Sequence, residues 1–141
     1  MQPLSESLNA QILALAPAHV AVPDAPNTWR ELQRAAYDDL GRLRVYDGAS
    51  AGTIYGSDQV NFAFRAWHDA LHLAHGLNFS RESELKIAQL HADQIHGDFE
   101  RRLIFADVAA QVEYYFEHGQ FVPEHSQREV VLAYMARCPR V

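Results

Sequence analysis

The chain has 141 residues, the length of one ordinary domain, so we expect a single domain over residues 1–141. Hydrophobic residues make up 48% of the sequence and charged residues 21%, a balance that excludes an intrinsically disordered chain. The formal net charge is −6 when the eight histidines are counted as neutral. A surface of that sign disfavours broad, non-specific binding to nucleic acids.

The sequence has no feature of a membrane or secreted protein. No stretch approaches the roughly 18 consecutive apolar residues of a membrane-spanning helix. The first residues lack a basic region ahead of their apolar run, unlike a secretory signal peptide. Cys138 is the single cysteine, which excludes an intrachain disulfide. These features predict a cytoplasmic protein that makes no membrane contact.

The first third of the chain predicts two short helices and one small β element. Leucine and isoleucine recur at helical spacing over about residues 5–16. Thr28 and Glu31 have the spacing of a capping box that opens a second helix. The following run, LRVYDGASAGTIYG, has β-forming residues on both sides of an Asp-Gly pair, which predicts a β-hairpin near residues 43–55.

The remainder of the chain predicts longer helices, each opened by a capping serine or aspartate or closed by a glycine. The expected helices cover about residues 58–75, 81–95 and 99–118, and a last one begins near residue 126. The sequence therefore predicts a mainly α fold, a bundle of about five or six helices with one small hairpin.

The helix with the sequence FAFRAWHDALHLAHG carries the strongest chemical pattern. His68, His72 and His75 stand at positions i, i+4 and i+7, so one helical face presents all three imidazoles. A histidine pair at i, i+4 is a recurrent metal chelate because both side chains lean toward one point. Asp69 follows directly and is a further ligand, an acceptor that orients an imidazole N–H, or an exposed charge. His75 lies near the helix end, where it can simply favour the helix dipole.

Two histidines do not hold a metal ion firmly, so we expect further ligands from the next helices. Glu84 is the first choice and His91 the second, because they share one face with the small Ala88 between them. Asp107 and Glu113 on the following helix are alternatives, although each alone is more often a solvated charge. Imidazole and carboxylate ligands suit zinc, iron or manganese and do not select among these divalent metals.

Arg65 is placed one helical turn before His68 and Asp69. It either binds an anionic group of a substrate or pairs with Asp69. We therefore include Arg65 as a candidate substrate-binding residue.

The stretch His68-Asp69-Ala70-Leu71-His72 resembles the HD doublet and following histidine of the HD-superfamily metal-dependent phosphohydrolases, which include dNTP triphosphohydrolases. The resemblance implies an all-α fold, with His68 and Asp69 as metal ligands. It also implies that His72 acts near the phosphate and that Asp107 or Asp98 is a late ligand. On this basis Asp69 and His72 are the candidate catalytic residues.

A longer run, from Asn61 to Asp69 with Gly76, Phe79-Ser80 and Glu84, is similar to uncharacterised phage and mobile-element proteins. Those proteins carry an FRxxHDxxGH-like helix followed by a phenylalanine and a helix with a glutamate. This second resemblance implies that Glu84 is a site residue in a phage or plasmid protein, and it implies no activity. The HDALH segment is also similar to the HExxH motif of zincins, a weaker alternative because aspartate is a shorter general base.

Two functional hypotheses follow. In the first, the chain is a metal-binding helical protein in which metal-activated water attacks a phosphoester or nucleotide, so that its partner is a small phosphorylated substrate. In the second, it is a non-enzymatic phage or mobile-element interaction protein whose histidines are structural, with a homodimer or a protein partner.

Overall fold

The structure is a computed structural model that describes residues 1–138. Within this range it contains six α-helices, one 3₁₀ turn and two strands. In chain order these are α1 (Glu6–Leu15), β1 (His19–Val22), α2 (Trp29–Ala35), β2 (Leu43–Tyr46), α3 (Asp58–His75), α4 (Arg81–Asp93), α5 (Asp98–His118), the 3₁₀ turn Glu124–Ser126 and α6 (Gln127–Arg137). The prediction of a mainly α fold is confirmed. Each helix in residues 1–138 is too short or too polar to cross a membrane.

Side-chain caps begin four of the helices where the sequence suggests. Each capping hydroxyl accepts a hydrogen bond from the backbone N–H three residues further along. This N–H has no acceptor within the helix, so the cap satisfies it. The caps are Ser5, Thr28, Ser57 and Ser80. α3 ends at Gly76, whose φ of +62° is the left-handed conformation that glycine adopts without strain.

The β-hairpin predicted near residues 43–55 is wrong. The strand β2 pairs instead with β1, in parallel, from His19 opposite Leu43 to Val22 opposite Tyr46. The second β-forming run does not form a strand. Its Ile54 side chain is buried in the core, and the Ile54 carbonyl accepts a hydrogen bond from the backbone N–H of Leu4. The true partner of β2 lies in the proline-rich segment before α2, and the α2 crossover between the two strands makes the pairing parallel.

The helix α3 lies between two apolar clusters, and this position controls the environment of its histidines. One cluster joins α1, α4, α5 and α6 to α3 through residues such as Ala63 and Trp67. The other joins α2 and β2 to a neighbouring face of α3 through Ala66. The imidazoles of His68 and His72 lie between these clusters, and His72 is fully buried.

Candidate metal centre

Two consecutive helices bring three metal-ligating side chains together. His68 and His72 project from α3, and Glu84 projects from the first turn of α4. The Nε2 atoms of His68 and His72 lie 3.1 Å apart, and they lie 3.3 Å and 2.6 Å from Glu84 Oε1. One ligand atom from each residue falls within 4.8 Å of the others, so these residues form a group that could hold a metal ion. Ligands bonded to one ion at about 2.0–2.2 Å lie roughly 3.3 Å apart, close to two of these separations.

The connection between α3 and α4 fixes the His72 ring. The Nδ1 atom of His72 donates to the carbonyl oxygen of Leu77 at 2.7 Å. Since a carbonyl only accepts, the proton of the neutral ring sits on Nδ1 and the lone pair on Nε2. Trp29 and Phe79 pack against the same ring, with centroids 6.2 Å and 4.9 Å away. The ring is therefore held in the tautomer and the orientation that a metal ligand requires.

His91 lies behind His68 and outside the three-residue group. Its Nε2 atom is 2.8 Å from His68 Nδ1, and the two rings stack with 11° between their planes. Its Nδ1 atom is buried and finds no hydrogen-bond partner within residues 1–138. Burial lowers the pKa of His91 well below its usual value, so this ring is neutral. If the Nε2 lone pair of His68 faces a metal ion, His68 Nδ1–H donates to His91, which then orients the ligand.

The charges of the group favour cation binding. Burial opposes ionisation of Glu84, but without a metal ion the hydrogen bonds that His68 and His72 donate from a protonated Nε2 outweigh it and lower the pKa of Glu84 to about 2. Burial likewise disfavours the charged form of His68, yet the hydrogen bond and charge of Glu84 raise the pKa of His68. An ionised carboxylate here attracts a proton onto His68, and a divalent cation would satisfy the same carboxylate.

A cavity of about 300 Å³ opens beside the group. His68 and Glu84 line it, together with Asn27, Asp107 and Gln111. The remaining lining residues are the aromatic Phe64, Phe79, Tyr115, Phe116 and Phe121 and the aliphatic Val108 and Val112. A small molecule in this cavity would therefore contact two of the three candidate ligands.

Asp107 is the second carboxyl group of the cavity. It is 2% exposed, and its two oxygens accept hydrogen bonds from the Tyr55 hydroxyl at 2.7 Å and the Gln111 amide at 3.0 Å. Burial raises its pKa to about 6. Sequence reasoning included Asp107 among the alternatives because of its helical position. It missed Tyr55, which lies 52 positions away and carries no local signal.

Two predicted site residues are placed elsewhere. Asp69 is half-buried next to His68 on α3 and does not line the cavity, and burial raises its pKa to about 6. Arg65 donates to the carbonyl oxygens of Tyr46 and Gly48 at 2.5 Å and 2.7 Å, so it fastens the loop after β2 to α3. Its expected ion pair with Asp69 is not formed in the described part of the chain, and Arg65 is not a lining residue of the cavity.

Glu113, another alternative ligand, forms an ion pair with Arg81 at 3.6 Å. It is therefore separate from the three-residue group of His68, His72 and Glu84.

Comparison of the chain with models of known families, with curated proteins and with solved structures found no match. The resemblances carried by the HD doublet and by the longer run around it stay predictions.

Proposed function

We propose that the chain binds one divalent cation through His68 Nε2, His72 Nε2 and a carboxylate oxygen of Glu84, and that it is a metal-dependent hydrolase. The observation that carries this proposal is the three-residue ligand group at the edge of a cavity. Structural zinc sites use four protein ligands and are closed, whereas catalytic sites use three and keep one position for water. A divalent ion held in this way lowers the pKa of water toward about 7 and polarises an ester oxygen.

The surrounding residues supply the other parts of a hydrolytic site. In this proposal His72 is a ligand, fixed by the Leu77 carbonyl, and His68 is oriented by His91. Asp107 is the carboxyl group that exchanges a proton with the attacking water, since it lines the cavity and its pKa of about 6 lies close to neutral pH. Asp69, a candidate catalytic residue from the sequence, is not a lining residue of the cavity. The HD resemblance favours a phosphoester as the substrate.

Metal binding is tested first, on untagged protein stripped with a chelator. We expect near-stoichiometric uptake of zinc, manganese or iron by calorimetry, with a rise in melting temperature. His68→Ala and His72→Ala should abolish both effects. His75→Ala is the matched control, because His75 is exposed on the same helix and lies outside the ligand group. Absence of uptake, or equal loss in the His75 variant, would contradict the proposal.

Hydrolysis is tested next, with the metal-loaded protein and a panel of phosphoesters, nucleotides and carboxylic esters. We expect turnover that requires the metal and falls in Asp107→Asn. A metal-loaded protein that is inert toward the whole panel would favour the alternative, a non-enzymatic interaction protein. One observation supports that alternative: Phe116 and Phe121 at the cavity are 46% and 81% exposed, and aromatic side chains of this kind often mark contact surfaces.

A further inference from the structure

The cavity beside the ligand group is apolar in most of its lining and lacks a permanent cation. Seven of its twelve lining residues are aromatic or aliphatic. Among the described residues that line it, none is lysine or arginine, and His68 is its only basic side chain. Two others, Glu84 and Asp107, are acids.

This charge balance bears on the substrate. A divalent ion offset by the Glu84 carboxylate leaves about one positive charge. A phosphate monoester carries nearly two negative charges at neutral pH and a nucleoside triphosphate more, and proteins neutralise such groups with arginine and lysine. The arginines closest in sequence to the ligands are engaged elsewhere: Arg65 on backbone carbonyls and Arg81 on Glu113. The site therefore suits a reacting group with one negative charge or none.

The size of the cavity limits the rest of the substrate. A volume of about 300 Å³ lies at the lower end of the range for small-molecule sites, roughly 300–1,000 Å³. A cavity of about 150 Å³ already accepts benzene in another protein. The space therefore holds a single ring or a short acyl chain together with a polar head group, and most of a nucleotide would lie outside it.

Resting on the proposed function, we propose that the substrate is a small ester with one apolar ring or short chain and at most one negative charge. Its apolar part occupies the space between Phe64, Phe79 and Val112, and its ester group lies against His68 and Glu84. Water forms the new bond to the acyl carbon or phosphorus and the bond to the leaving alcohol breaks. One water proton passes through Asp107 to the leaving oxygen, so that an acid and an alcohol are the products.

The first test measures binding with a matched pair of metal-binding probes, benzohydroxamate and acetohydroxamate, which differ in the ring. On the zinc-loaded protein we expect benzohydroxamate to bind at least about 10-fold more tightly, because its ring is buried in the cavity. Val112→Trp narrows the cavity and should remove this preference without changing the affinity for zinc. Equal affinities of the two probes, or a Val112→Trp protein that keeps the preference, would overturn the proposal.

The second test compares hydrolysis of 4-nitrophenyl butyrate and methyl 4-nitrophenyl phosphate with that of 4-nitrophenyl phosphate and ATP. We expect turnover of the first pair at least about 10-fold faster, with a higher KM in Val112→Trp. Faster turnover of ATP or the monoester would overturn the substrate class while leaving the hydrolase intact. Failure of the proposed metal site and failure of the proposed substrate class are distinguished further by titrating benzamide into the metal-free protein. If no metal binds, binding of benzamide that Val112→Trp abolishes still supports the apolar cavity, and its absence opposes it.

Discussion

Glu84 and Asp107 line the same cavity, and burial opposes the ionisation of both carboxyl groups. Their hydrogen-bond partners, however, differ. Glu84 faces two imidazoles, which can carry a positive charge, and its pKa falls to about 2. Asp107 faces a phenol hydroxyl and an amide, which stay neutral, and its pKa rises to about 6. Hydrogen bonds and charge from the imidazoles together hold Glu84 ionised, whereas the neutral partners of Asp107 leave burial as the larger effect on its pKa. One carboxyl is thereby suited to a cation and the other to a proton.

The largest effect should come from removing the ionised member of this pair. Glu84→Gln keeps the shape of the side chain and loses its charge, so affinity for zinc should fall more than about 100-fold, since even orienting residues contribute 10- to 100-fold. Asp107→Asn should leave zinc affinity within about 3-fold of the parent protein. Competition with a chromophoric chelator measures both affinities. Similar losses in the two variants would erase the distinction between the carboxyl groups.

In the metal-free protein, Asp107 should make the free energy of unfolding fall as pH rises from about 4 to about 6. The folded state raises its pKa from 3.8 to about 6, so over this window it holds a proton that the unfolded chain has released. The stabilisation is complete below pH 4 and is lost above pH 6, a change of about 2 to 3 kcal/mol. Asp107→Asn does not titrate, and urea unfolding should show a flatter profile.

Asp69 provides the control for this profile, because burial raises its pKa to about 6 as well. Asp107→Asn should therefore remove only part of the slope, and the double variant with Asp69→Asn should remove more. An Asp107→Asn profile that superimposes on that of the parent protein would show that Asp107 ionises freely in the folded state.

An intermediate effect should come from the ring that orients His68. His91→Phe keeps an aromatic side chain against Phe64 and Trp67 but removes the acceptor for His68 Nδ1–H. Zinc affinity should fall about 10- to 100-fold, while the circular dichroism spectrum stays unchanged. His96→Phe, at an exposed position after α4, is the matched control and should bind zinc normally. Full zinc affinity in His91→Phe would mean that His68 needs no orienting partner.

The smallest effect should come from Tyr55→Phe. This change removes one hydrogen bond to Asp107 and leaves the buried ring in place, so the free energy of unfolding should fall by about 1 kcal/mol. It should also raise the pKa of Asp107 further, because the hydroxyl stabilises the ionised form. Chemical denaturation and a carboxyl titration followed by NMR test these effects separately. A Tyr55→Phe protein with a lower Asp107 pKa would contradict this account.

The local part of this architecture could be predicted from the sequence. Hydroxyl caps such as Ser57 and Ser80 act within three residues, and the spacing of His68 and His72 places both rings on one helical face. Glu84 was within reach of prediction because a short connection brings the start of α4 back against α3. In each case the interacting groups are close in sequence, and helix geometry fixes their directions.

The distant pairings could not be predicted. β2 pairs with β1, which lies before the α2 crossover. The preference of the Asp-Gly pair for a hairpin turn does not outweigh the packing of Ile54 in the core. The position of Asp107 beside Tyr55 depends on how α5 packs against the rest of the bundle, which no periodicity encodes. His91 could be chosen as a candidate, but its place behind His68 depends on the angle between α3 and α4.

The three candidate ligands lie within residues 68–84, on two helices joined by a connection of five residues, 76–80. Closing so short a loop costs little chain entropy, and contacts that are local in sequence form early in folding. A cation bound by the α3–α4 pair early in folding would join these helices before β1 pairs with β2 or α5 packs against Tyr55. The site would then guide the folding of the chain as well as its chemistry, and refolding should be faster with metal present.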